Sequence, residues 1–390
     1  MKKTVFVLLT VLLMTGSLLA LNKGETELEN NGWFRYTTVM PKFDFANATR
    51  GDFTLERGYV RLSHQWTNDL FSKMTVDVLS SSAYSDGASI RLKEAYIDYT
   101  LPLKETKFTA GLQKNYFSLI YSWDYTNIEK SLADKEGVVA SADYGLTLNG
   151  YLPKGLGEWE LGAYNGEGYK KVFATSVNQV NKVPAWVANL RLTPVGGVTV
   201  GSSFLYNAKD MSAYKNGSSF RSGDTLRFNA DTNNLGRLGI APMAKVAVGP
   251  VSVLGEYIIY NYKRDLTYWR MTKDSSGHVV DSTLNTKDKK YAMSGFSVVP
   301  VVSLLKKKLE LVGRYDMWNV KADNVKDTLK SHTLVGLGAN WHFARREKGK
   351  PGCELQLGWQ REQATAKSVK PTDTFMAQFR FEWTGLILPQ

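Results

Sequence analysis

A rhythm of period two constrains this chain more than any other feature of its sequence. In Phe375–Trp383 one face reads Phe375, Ala377, Phe379, Phe381, Trp383, and the other Met376, Gln378, Arg380, Glu382. Cys353–Gln360 sets Leu355, Leu357 and Trp359 against Glu354, Gln356 and Gln360. His332–Phe343 sets Val335, Leu337, Ala339, Trp341 and Phe343 against Gly336, Gly338, Asn340 and His342. Successive side chains of a strand point to opposite faces, so each such run is a strand with one apolar and one polar side. About sixteen runs of roughly 8–13 residues follow this pattern, and none of ten or more residues has a helical period.

The expected strands are Gly32–Met40, Leu55–Trp66, Leu70–Leu79, Ser89–Leu101, Thr106–Gln113, Ser141–Leu152, Gly157–Asn165 and Ala185–Thr193. They continue as Val198–Ala208, Ile240–Val248, Val251–Tyr262, Tyr291–Val302, Leu309–Trp318, His332–Phe343, Cys353–Gln360 and Phe375–Trp383. Their connections alternate in length. Short ones carry turn chemistry, such as Pro153-Lys154-Gly155-Leu156 and Gly249-Pro250. Long ones are polar and irregular: Pro41–Thr54, Lys114–Ala140, Gly166–Pro184, Lys209–Gly239, Lys263–Lys290, Val320–Ser331 and Arg361–Thr374. Short turns on one side and longer loops on the other are the pattern of outer-membrane barrels. Aromatics near many strand ends suit a girdle at the membrane interfaces. The expectation is an all-β fold, a transmembrane antiparallel barrel of about 16 strands. An exported soluble β-protein, acting as an adhesin or carbohydrate-binding module, shares the alternation and stays open as an alternative.

The first residues fit export. Lys2 and Lys3 precede the apolar run Val5–Leu13, and Gly16, Ser17 and Ala20 supply small residues. Residues 1–20 therefore read as a signal peptide and 21–390 as the barrel domain. The net charge of +12 favours anionic solutes or anionic lipid as partners. Cys353 is the only cysteine and reads as a small strand residue.

One stretch breaks the rhythm. Lys114–Gly137 carries Tyr116, Phe117, Tyr121, Trp123 and Tyr125 at no helical or strand period. So much aromatic bulk must pack against a concave surface, which predicts a third loop folded into the lumen. Lys114, Tyr116, Phe117, Tyr121, Trp123, Asp124, Tyr125 and Lys130 are its candidate constriction residues. Its charges are close to balanced, so it is expected to set the size of the opening more than its sign.

A pore selects by rings of charge and by its narrowest dimension. Arg35, Arg57, Tyr59, Arg61, Lys73, Arg191, Lys245, Arg314 and Arg380 fall on the polar faces of their strands and are the candidate pore-lining residues. Asp77, Glu94, Asp98, Asp143, Glu160, Glu256, Glu310, Asp316, Glu354 and Glu382 share those faces, so cross-strand pairing competes with an open anion track. Ser89–Leu101 is awkward: Arg91 and Lys93 share parity with Ala95, Ile97 and Tyr99, which predicts that the two bases lie above the hydrocarbon. Elsewhere Lys104, Lys107, Lys306–Lys308 and Lys263–Arg264 put charge in turns and loops, suited to lipid headgroups or long-range steering. The four histidines (His64, His278, His332, His342) assemble no catalytic set, and no His/Cys cluster suits a metal. No enzyme activity, cofactor or nucleic-acid partner is expected.

Several segments carry a family likeness in order: ERGYVRL (Glu56–Leu62), KEAYIDYTL (Lys93–Leu101), GLQKNYFSL (Gly111–Leu119), IEKSLADKEGVVASADYG (Ile128–Gly145) and LGAYNGEG (Leu161–Gly168). Over Leu55–Gly168 the chain resembles the phosphate-selective porin O/P family of sixteen-stranded outer-membrane porins. The resemblance implies passive diffusion of small solutes, phosphate-like anion preference, an outer-membrane location and a homotrimer. The sequence departs from the family at Tyr116-Phe117, where Pro-Phe is usual, and at Lys130, where Arg is usual.

Overall fold

In the computed structural model sixteen antiparallel strands close into a barrel. The structure describes residues 21–80, 87–118, 130–166, 168, 183–208, 219–222, 225–228, 234–273, 276, 279–322, 331–344, 352–366 and 369–388. The strands are β1 (Thr26–Pro41), β2 (Arg50–Gln65), β3 (Leu70–Ser80), β4 (Ala88–Thr100), β5 (Thr106–Lys114), β6 (Ala142–Leu152), β7 (Gly157–Tyr164) and β8 (Ala185–Val195). They continue as β9 (Val198–Asn207), β10 (Asn234–Val248), β11 (Val251–Lys273), β12 (Val279–Leu304), β13 (Leu309–Ala322), β14 (His332–Ala344), β15 (Gly352–Ala364) and β16 (Thr372–Leu388). Each strand pairs with its neighbours in sequence, and β1 seals the cylinder by pairing with both β2 and β16. Closure leaves no strand edge unsatisfied in the bilayer.

All sixteen expected strands are present, with different ends. β11 and β12 run far past Tyr262 and Tyr291, staying paired up to Lys273 opposite Val279. The stretch Lys263–Lys290, expected as irregular loop, is therefore a ribbon rising above the rim. Its Leu, Tyr, Trp, Met and Thr residues have strand propensity that its many charges obscure. Within Lys209–Gly239 a small hairpin pairs Ser219–Ser222 with Thr225–Phe228. β16 continues past Trp383 to Leu388, opposite Thr26.

The outward face is apolar: Leu62, Leu337, Phe343, Leu357, Phe379 and Phe381 are all exposed there. Arg35, Arg57, Glu94, Arg191 and Gln378 are buried on the inner face. Among the register irregularities of the ladders, those on β2 and β4 shift the alternation of lumen residues. Trp33 pairs with Arg57 and Phe34 with Leu55, leaving Glu56 as an extra residue. Thr75 pairs with Glu94 and Val76 with Leu92, leaving Lys93 extra. The second bulge corrects the reading of Ser89–Leu101. Arg91 and Lys93 face inward before it and Glu94, Tyr96 and Asp98 face inward after it. The bases need no position above the hydrocarbon, because a bulge inserts one residue and re-aims the side chains beyond it.

Candidate functional site: the lumen and its constriction loop

The connection between β5 and β6, loop 3, folds into the barrel as expected. Its described parts, 115–118 and 130–141, hold a helical turn, α1 (Leu132–Lys135), whose N-cap Ser131 accepts from the Asp134 amide. Phe117, Leu132, Ala133 and Val138 form one buried cluster with Val187, Leu205, Ala241, Ile258, Tyr260, Tyr291 and Trp318. These partners belong to β8–β13, so loop 3 lies on an apolar strip of the inner wall. Water would otherwise wet that strip at about 25 cal/mol per Å².

Polar contacts fix the crossing at several points. The Ser118 amide donates to Ser203 Oγ at 2.8 Å, and Arg191 Nη2 donates to the Ser118 carbonyl at 2.8 Å. Lys135 Nζ meets Glu362 at 2.8 Å on β15, and Glu136 meets His332 at 3.2 Å at the start of β14. On the return path, Lys93 Nζ bonds Ser141 Oγ. The loop thus reaches from β5 to β9, to β15 and back beside β4. Tyr121, Trp123, Asp124 and Tyr125 lie outside the described residues. Phe117 sits in the apolar cluster, and Lys130 is half-buried where the return segment begins.

The bases expected in the lumen all lie on inward positions, and most are paired. Arg57 Nη1 is 3.0 Å from Asp77. Lys73 is 3.2 Å from Glu94. Arg191 is 2.8 Å from Glu158, and Arg314 is 2.7 Å from Asp316. Arg380 pairs with Glu354 at 3.2 Å and with Glu382. Arg61 pairs with Glu29, and Arg35 lies 3.8 Å from Glu56 while donating to Gln378 at 2.8 Å. Lys245 shows no ion pair among the described residues. Tyr59 packs edge-on against Trp33 at 6.2 Å, beneath the Arg61 guanidinium at 4.8 Å. Cross-strand pairing therefore accounts for most of these charges.

The two sides of the lumen differ in sign. On β2–β5 the bases Arg57, Arg61, Lys73, Arg91, Lys93 and Lys114 outnumber Glu56, Asp77, Glu94 and Asp98. Among the inward residues of β7–β13 whose side chains are described, the acids Glu158, Glu160, Glu256, Glu310 and Asp316 outnumber Arg191, Arg237, Lys245 and Arg314. Glu256 and Asp316 are 2% and 0% exposed, on the side where loop 3 docks. A cavity of about 500 Å³ opens below loop 3, lined by Lys73, Tyr96, Lys107, Lys114, Tyr116, Trp159 and Arg191 among others. Lys107, read from sequence as a turn charge, belongs to this cavity. Arg91 and Lys93 were missed as lumen residues; the parity conflict in their strand was the signal. The described histidines sit apart: His64 beside Thr26 at 2.7 Å, His332 at the start of β14 against Glu136 of loop 3 at 3.2 Å, and His342 between Glu310 at 3.3 Å and Glu354 at 3.0 Å.

The model of the phosphate-selective porin O and P family matches residues 30–383, well beyond the front half that carried the resemblance. Among solved structures the chain is similar to the outer-membrane protein OmpT of Vibrio cholerae, with 13% identity and a TM-score of 0.59 over 94% of this chain and 99% of that one. It is also similar to the outer-membrane channel DcaP of Acinetobacter baumannii, with 12% identity and a TM-score of 0.59 over 93% and 97%. An anion-selective porin from Comamonas acidovorans gives 11% identity and a TM-score of 0.53 over 93% and 100%. No curated protein sequence matches the chain.

Proposed function

The chain belongs to the phosphate-selective porin O and P family, and from that premise we propose that it is an outer-membrane porin whose passage runs beside the basic β2–β5 wall. Small solutes diffuse through without coupling to energy, and anions are mildly preferred. The observation that carries this reading is the seat of loop 3. It occupies the side holding Glu256 and Asp316, whose burial withholds their charge from the open passage, and it leaves the opposite bases facing the solute. Loop 3 then sets the sign of the opening as well as its size, which goes beyond the sequence expectation.

Paired bases make this preference weak. A guanidinium already bonded to a carboxylate offers an anion only part of its fork. Lys114 and Lys245, for which no direct ion pair is seen among the described residues, are the stronger attractors. The candidate pore-lining and constriction residues act through this geometry rather than as a dedicated phosphate cage. Residues 1–20 serve as the export signal. Assembly as a homotrimer is supported by the trimer form described for OmpT of Vibrio cholerae.

Planar-bilayer recording of the purified protein tests the reading. Discrete conductance steps and a reversal potential displaced toward the anion potential in a salt gradient are expected. Absence of steps rejects the channel, and displacement toward the cation potential rejects the selectivity. Lys114→Gln with Lys245→Gln should reduce the displacement without lowering conductance by more than a small factor.

A further inference from the structure

The connection between β1 and β2, loop 1, folds in the opposite sense to loop 3. Met40 and Asp373 are register partners on the outward faces of β1 and β16, yet both are 0% exposed. The loop covers them from outside. Lys42 and Phe43 both adopt left-handed backbone, with φ of 50° and 59°, a conformation that non-glycine residues rarely hold. The corner is held by Asp373, which accepts from the Phe43 amide at 3.0 Å, from Trp359 Nε1 at 3.0 Å, and twice from Arg361 at 2.9 Å. Phe43 lies under the Arg361 guanidinium at 4.6 Å and stacks on Trp359 at 5.7 Å; Phe45 stacks on Phe375 at 6.0 Å.

This leaves an amphipathic shelf on the lipid side of the rim. Phe43 and Phe45 stay exposed over Trp359 and Phe375 on the outer face of β15 and β16. At the edge of the shelf Lys42 and Lys370 are exposed, on segments joined by the Lys42 amide, which donates to the Pro371 carbonyl at 3.3 Å. Asp44 interacts with Lys370 through charge but is held by Asn47, whose side chain donates at 2.7 Å. Arg50 is occupied by Asp52 at 2.5 Å.

From this geometry we propose that loop 1 docks a phosphorylated lipid of the surrounding outer leaflet, its headgroup phosphate on Lys42 and Lys370 and its apolar body along Phe43 and Phe45. Aromatic rings at the apolar boundary with cations just beyond it form the arrangement that an anionic headgroup satisfies. The shelf is continuous with the lipid-facing surface and points away from the lumen, so solute in transit does not meet it. A free phosphate would find two solvated lysines and no buried donors, and would gain nothing from the rings.

Native mass spectrometry of the detergent-solubilised protein tests this, with diphosphorylated lipid A, the same lipid stripped of its phosphates, and excess inorganic phosphate as competitor. The phosphorylated lipid should be retained about tenfold more than the stripped one, and inorganic phosphate should not displace it. Lys42→Gln with Lys370→Gln should abolish that difference, Lys42→Arg with Lys370→Arg should keep it, and Phe45→Ser should weaken both lipids. Equal retention of the two lipids, or equal retention by wild type and the glutamine variant, overturns the proposal. So does full displacement by inorganic phosphate, or a disulfide between two Phe45→Cys copies, which would assign the shelf to a second copy of the chain.

Discussion

Leu132 of loop 3 occupies the space that Gly295 of β12 leaves by having no side chain. A Cβ at 295 would stand 2.7 Å from Leu132 Cδ2 and 2.4 Å from the Trp318 ring, so the glycine is a socket. Gly295→Val should lift α1 off the wall and raise single-channel conductance. Leu132→Ala should do the same more gently, since removing a buried leucine side chain typically costs about 2–5 kcal/mol. Unchanged conductance in both variants would show that the loop is held elsewhere.

Asp77 is fully buried against Arg57 at 3.0 Å. Asp77→Asn should remove one negative charge from the basic wall and move the reversal potential further toward the anion. Breaking one side of a buried pair commonly costs about 3–5 kcal/mol, so the variant should also unfold at lower urea concentration. A reversal potential equal to that of wild type would mean that Arg57 does not face the passage.

Lys93 tests the bulge in β4. Deleting it makes Leu92 and Glu94 consecutive and the ladder with β3 continuous, with Ser89, Arg91, Glu94, Tyr96 and Asp98 all still facing inward. The deletion should therefore keep the heat-modifiable gel mobility of a folded barrel. Deleting Leu92 instead turns Lys93 toward lipid, where a Lys near mid-membrane costs about 2–4 kcal/mol, and should lower the folded fraction. Lys93→Met keeps the residue count and should fold, while losing the bond to Ser141 and producing noisier channel currents. Loss of folding on deleting Lys93, with normal folding on deleting Leu92, would refute the bulge.

The ribbon formed by β11 and β12 is separable from the cylinder. Replacing 263–290 with a two-residue turn leaves Tyr262 opposite Tyr291, stacked at 4.5 Å. Gel mobility and conductance should match wild type, because the wall keeps its pairing on both sides below that rung. Loss of folding would show instead that the ribbon is needed to close the barrel.

Strand number, connection rhythm and the inward third loop were legible because each depends on local alternation or on a conspicuous failure of it. Pairing of the lumen charges was foreseeable in kind, since acids and bases shared the same faces, but not in partner. The Lys93 bulge was not legible, because one extra residue looks like a parity conflict and has several remedies. The seat of loop 3 was hidden for another reason. Ile258 and Tyr260 share a face with Glu256, so β11 carries apolar side chains on both sides and reads as imperfect alternation. The outward fold of loop 1 rests on Asp373, more than 300 residues from Phe43 in sequence, and no local pattern announces it.

The apolar strip beneath loop 3 also bears on how the molecule forms. A cylinder that closed with the loop outside would hold Ile258, Tyr260, Tyr291 and Trp318 against water, and late folding species with wet apolar surface are prone to aggregate. Strand closure and loop entry must then be nearly concurrent. The loop is accordingly as much a late step of assembly as a filter: a chain that lost it would first be short of folded protein in the membrane, before any question of what passes through.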